Sequence, residues 1–256
     1  MSKHLLVLFF CLFLVMIGFG MTLPVFAFYT ERLAIEGGAS GREAAVHVGL
    51  LTGIFALMQF LFAPLWGRWS DRFGRKPLVL IGIGGFAIAQ VLFGLADSLW
   101  LFYVARIIGG ILSAAMFPAV SAYVTDLTSE DERSRGMAWQ GTAASLGVML
   151  GPAFGGLLAG GDLQLGMGSD WLTIPAFSLP FFAAALLASL TLPVVILWLP
   201  ETLPSACAHT PEKRSADSWR DLGIQLWPLL ALALAAQFGL AMFEATFALH
   251  AREMLE

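Results

Sequence analysis

Seven apolar stretches of roughly 20 residues each, the length that crosses a bilayer core, constrain this chain more than any other feature. They run over residues 5–28, 46–66, 77–96, 99–124, 137–160, 175–199 and 224–248. Their apolar residues are continuous rather than alternating, which predicts helices and excludes a barrel, whose strands would alternate. With 58% hydrophobic residues in 256, the chain carries more apolar sequence than a soluble core of that size could bury. The expected fold class is an all-α integral membrane protein.

Orientation follows from Lys and Arg, which collect on cytoplasmic segments. With the N-terminus inside, Lys3, Arg68, Arg72, Arg75, Lys76, Arg133, Arg135, Lys213, Arg214 and Arg220 are cytoplasmic, against Arg32, Arg42 and Arg252 outside. The first run begins behind a basic segment like a signal peptide, but its apolar core exceeds the 7–15 residues of one. Most turns are short, as between antiparallel neighbours. The polar segment near residues 201–222, rich in Pro, Ser and charge, reads as a cytoplasmic linker between a bundle over residues 1–200 and a further helix in 223–256. Two cysteines, Cys11 and Cys207, and four scattered histidines have no metal-ligand spacing, so neither a metal nor a cofactor is expected.

The turn between the second and third runs, "GRWSDRFGRK", holds five charges in a chain that is only 12% charged. Arg68, Arg72, Arg75 and Lys76 fit positive-inside anchoring. Asp71 suits a helix N-terminus, Gly67 close approach of a neighbour, and Gly74 a tight turn with positive φ. In the fifth run, "GVMLGPAFGG" places Gly147, Gly151 and Gly155 on one helix face, with Pro152 and Gly156 beside them. Small residues four apart commonly pack membrane helices together, and a proline bends one.

The pattern Gly67-x-x-x-Asp71-Arg72-x-Gly74-Arg75-Lys76 resembles the signature loop of the major facilitator superfamily at every defined position. The resemblance implies a six-helix bundle of two inverted three-helix repeats, followed here by the first helix of a second half. It implies that Asp71, Arg75 and Asp126 form a gate latch closed on the cytoplasmic side. Gly147, Gly151, Pro152, Gly155 and Gly156 resemble the exporter motif of the family. "YVTDLTSEDERSRG" and "LPETL" are similar to the tetracycline and multidrug proton antiporter branch. Those exporters carry an aspartate in the first helix where alignment on Gly18, Gly20 and Pro24 puts Val15.

Within the membrane, a central Arg costs about 2.5–3.5 kcal/mol on insertion scales, so Arg106 should face the protein. It resembles the fourth-helix arginine that the family uses in proton coupling; a structural Arg bonded to backbone carbonyls is the alternative. Glu244 is the acid deepest in a span and the best-placed group to take and release a proton, with a substrate contact or a structural pair as alternatives. Gln59, Gln90, Gln140 and Gln237 suit interhelical bonding. Phe28, Tyr29, Gln59 and Gln140 are the expected substrate-pocket residues.

A complete facilitator has two six-helix halves with substrate between them. The 256 residues are therefore expected to be a fragment, with the missing half as partner. The leading expectation is proton-coupled efflux of small amphipathic compounds across the inner membrane. An uptake symporter for a sugar or metabolite, or a non-transporting half-transporter, are the rivals. Nothing in the sequence suggests an enzyme or a nucleic-acid partner.

Overall fold

The computed structural model describes residues 3–160 and 176–202, together with 227, 228, 231, 232 and 235. Apart from those five residues, the seventh apolar run, with Glu244 and Gln237, and nearly all of the linker lie outside the described residues. The chain divides into two units, Met1–Ala206 and Cys207–Glu256, and the account that follows concerns the first.

The described elements are α1 (Lys3–Glu36), α2 (Gly41–Phe73), α3 (Arg75–Gly94), α4 (Leu99–Ser113), α5 (Met116–Leu127), α6 (Glu130–Gly160), a single 3₁₀ turn (Ala176–Ser178) and α7 (Leu179–Trp198). Among the described residues there is no strand. Among the described residues, six segments are long and apolar enough to cross a membrane, with α4 and α5 together making the fourth.

Several helices outrun their apolar cores. α1 has 34 residues, or about 50 Å at 1.5 Å per residue, against a hydrocarbon core of about 30 Å. Past the apolar run, Arg32 Nε bonds Glu36 Oε1 at 2.7 Å one turn on, and the helix stops where Gly38 takes φ 90°. α2 starts with a capping box: the Glu43 N–H donates to Ser40 Oγ, and Glu43 accepts from the Ser40 N–H at 2.7 Å.

The fourth span, expected to be continuous over 99–124, breaks between α4 and α5. Pro118 has no N–H to donate to the Ala114 carbonyl one turn back, so the regular ladder ends there. Ala115 N–H turns instead to Leu112 O at 3.2 Å. That shift frees the Ile111 carbonyl, and the Trp66 indole N–H of α2 takes it at 2.6 Å.

The neighbours show the internal repeat. α1 packs most extensively on α6 and α7, α3 on α7 and α4, and α2 on α4. Exchanging spans one to three for spans four to six turns the α1–α6 pair into the α4–α2 pair. The same exchange turns α1–α7 into α4–α3 and returns α3–α7 to itself. α2 and α6 are partners under it, and they are the two least buried spans, at 6% and 17% of their apolar windows.

The α1–α6 contact is built on glycine. A Cβ on Gly147 would stand 2.6 Å from Met16 Cβ, and one on Gly151 would stand 2.5 Å from the Gly20 and Met21 backbone. Gly155 is pressed against the Met21 carbonyl. Pro152 and Gly156 lie on the exposed side of α6.

Candidate functional site

Charge is concentrated where α2 turns into α3. Gly74 joins the two helices at φ 111° and ψ 159°. There the Arg75 N–H, first in α3, donates to Glu201 Oε1 at 2.9 Å, setting a carboxylate at a helix N-terminus. The Arg75 guanidinium spans two acids. Nη1 donates to Asp71 Oδ1 at 2.5 Å and Nε to Asp126 Oδ2 at 3.1 Å.

Asp126 also accepts from Thr202 Oγ1 at 3.1 Å. Lys76 Nζ donates to Ile196 O and Tyr123 Oη to Pro200 O, both at 2.7 Å. One knot thus joins the α2–α3 turn, the end of α5 and the residues just past α7. Arg75 is 14% exposed, whereas Asp71 is 72% exposed and offers its carboxylate outward. Arg72 stacks over Phe73. Among the described residues, nothing lies within 4 Å of a Cβ on Gly67. Glu201, within "LPETL", ties the knot at α3; its signal in the sequence is an acid directly following the sixth apolar span.

Deeper in the bundle, a cleft of about 480 Å³ opens between α1, α2, α5 and α6. Met16, Phe19, Phe55, Met116, Phe117 and Met149 make it apolar, and Gln59 and Ser113 supply polar groups. Gln59 Nε2 reaches Ser113 Oγ at 3.4 Å. Aromatic and thioether side chains of this kind adapt to ligands of varied shape.

Three of the expected pocket residues lie elsewhere. Phe28 is 64% exposed on the outside of α1. Tyr29 is buried in a ring cluster with Phe102, Phe177 and Phe181, its hydroxyl donating to Ala96 O at 2.7 Å. Gln140 is buried against α5, where its Nε2 donates to Ser121 Oγ at 2.9 Å. Tyr29→Phe should therefore lower the stability of the detergent-solubilised protein by about 1–3 kcal/mol, because a buried carbonyl loses its donor. Ligand binding in the cleft should not change; thermal unfolding and a binding isotherm check the two halves of this prediction.

Arg106 does face the protein. Its guanidinium lies 3.6 Å from the Phe26 ring centroid, 4.9 Å from Phe55 and 5.4 Å from Phe93. These rings supply a cation–π cage, and among the described residues no counter-ion pairs with the guanidinium. Arg106 Nε and Gln90 Oε1 are buried without hydrogen-bond partners among the described residues. Both line a cavity of about 20 Å³, roughly one water molecule in size. Phe19, Phe55, Phe86 and Ser113 are shared between this cavity and the cleft.

Paired three-helix repeats thus surround an apolar cleft, with a charged knot at one end. The Major Facilitator Superfamily profile matches residues 8–255, and the chain belongs to that family. Multidrug resistance protein 2 of Bacillus subtilis is 30% identical over 93% of this chain and 56% of its own length. The class B tetracycline resistance protein of Escherichia coli is 35% identical over 72% of this chain and 41% of its own. In fold, the chain superposes with TM-score 0.69 on an inward-facing, unoccupied bacterial homologue of the human lysosomal transporter Spinster, at 21% identity over 88% of this chain and 50% of that one. The chain spans about half the length of the curated relatives it matches.

Proposed function

We propose that the chain is the first half of a proton-driven exporter of small amphipathic compounds in the cytoplasmic membrane. In this reading the N-terminus is cytoplasmic, residues 1–200 form the first bundle, 201–222 the linker and 223–256 the start of the second half. The apolar cleft of about 480 Å³ carries the proposal, because its Phe and Met walls suit varied drug-like molecules better than a sugar. Relatives bearing multidrug, tetracycline and quinolone resistance names support the same direction of transport. The uncovered faces of α2 and α6 are where a second half would close over the cleft.

The Arg75 knot acts as the cytoplasmic clasp, with Asp71 turned toward the other half. Arg106 and Glu244 carry the coupling, the arginine biasing when the carboxyl gives up its proton. Cells making the intact two-half transporter should accumulate less ethidium than controls, and a protonophore should abolish the difference. Arg106→Ala and Glu244→Gln should each slow efflux about tenfold or more, equivalent to about 1.4 kcal/mol or more. Unchanged efflux in both variants would remove the coupling assignment.

A further inference from the structure

Opposite the cleft, a second groove follows the α1–α6 seam. Its mouth, a cavity of about 190 Å³ at the α5–α6 turn, is lined by Thr128, Glu132 and Arg135. Its trough, about 300 Å³, is lined by Leu6, Phe10 and Phe13 of α1 and by Thr142 and Leu146 of α6. Trp139 borders both cavities.

The order of residues along α6 grades the groove. Glu132, Arg135, Trp139, Thr142 and Leu146 recur at alternating steps of three and four and share one face, charged at the loop end and apolar beyond. The cleft-lining residues Ala144, Ser145 and Val148 fall on another face, with Gly147 between the two sets. Residues 6–13 and 139–146 wall the trough on either side. Each segment rises about 10 Å, two-thirds of the roughly 15 Å of one leaflet.

The mouth bears one charge of each sign. The ion pairs among the described residues are Arg32–Glu36, Arg75–Asp71 and Arg75–Asp126, so Glu132 and Arg135 stand free of one another. A molecule that fills this groove needs an acyl chain for the trough, an anion for Arg135 and a hydrogen-bonding cation for Glu132.

The geometry points to a binding site for one phosphatidylethanolamine molecule. Its phosphate pairs with Arg135, its ammonium with Glu132, and one acyl chain lies past Trp139 along Leu6, Phe10 and Leu146. A phosphatidylglycerol head would set only negative charge and hydroxyls against the Glu132 carboxylate, and a choline head has no N–H to donate. The site is independent of what the transporter carries.

Native mass spectrometry of the detergent-purified chain, with dioleoyl phosphatidylethanolamine and dioleoyl phosphatidylglycerol in equal amounts, tests it. One ethanolamine lipid should be retained per chain, preferred about fivefold, the worth of one interfacial charge. Glu132→Gln should erase the preference, and Arg135→Gln should lower retention of both lipids. Thr142→Trp should fill the trough and release them. Leu197→Ala, on an exposed part of α7, should retain lipid as the parent does. Equal retention of the two lipids by the parent chain, a preference that survives Glu132→Gln, or undiminished binding in Thr142→Trp would each overturn the assignment. So would a dimer that Thr142→Trp disperses, since a second copy would then occupy the groove.

Discussion

Gly151→Val should leave little folded protein, whereas Gly156→Val, five residues on in the same glycine motif, should be nearly silent. A Cβ on Gly151 would come within 2.5 Å of the Gly20 carbonyl carbon and the Met21 nitrogen. Those are backbone atoms and cannot rotate aside, so α1 and α6 must separate. Overpacking a core costs about 1–3 kcal/mol where side chains can adjust, and here they cannot. In lipid, no hydrophobic force compensates for lost contact between helices, whose association depends on close packing. The α1–α6 pair is also the most extensive in the bundle, so its loss should spread. Among the described residues, nothing lies within 4 Å of a Cβ on Gly156. Size-exclusion profiles of fluorescently tagged variants measure the folded fraction, and equal yields from the two would refute this account of the motif.

That contrast shows how far the sequence could be read. The stripe of Gly147, Gly151 and Gly155 is legible as a surface for close approach, but α1 as its partner is not, because spacing along one helix does not name another. The spans are legible because lipid demands continuous apolar runs. Their ends are less so, since α1 continues through "TERLAIE" on ion pairing and helix propensity that hydropathy does not register.

Pro118 marks the fourth span, yet the break appears a turn earlier, at the carbonyl the proline leaves unpaired. Phe28 and Tyr29 are adjacent and similar in composition, but one step of about 100° around α1 sends one outward and the other into the ring cluster. Of the four expected pocket residues, Gln59 lines the cleft. The meeting of Asp71, Arg75 and Asp126 was legible through the family pattern. Glu201 was not, because its role depends on where α7 ends in space.

Gly74→Ala should loosen the charged knot for two separable reasons. The first is conformational: φ 111° with ψ 159° is open to glycine and costs other residues about 1–3 kcal/mol. The second is steric and electrostatic. The new methyl would meet Glu201 Oε2 at 2.5 Å and Cδ at 2.7 Å. That carboxylate can swing away, but only by giving up the bond from the Arg75 N–H. Hydrogen bonds to charged groups contribute about 1.5–3 kcal/mol, so the two effects are comparable. Glu201→Ala alone should show only the second. In the Glu201→Ala background, Gly74→Ala should cost less than in the parent chain, by the part that belonged to the carboxylate. Trypsin cleavage after Arg72 and Arg75, followed over time beside thermal unfolding, reads the loosening directly. If Gly74→Ala cost the same with and without Glu201, the carboxylate would be a bystander and backbone strain alone would hold the turn. A smaller cost without Glu201 makes this acid a structural member of the clasp, joining the end of the sixth span to the turn between the second and third.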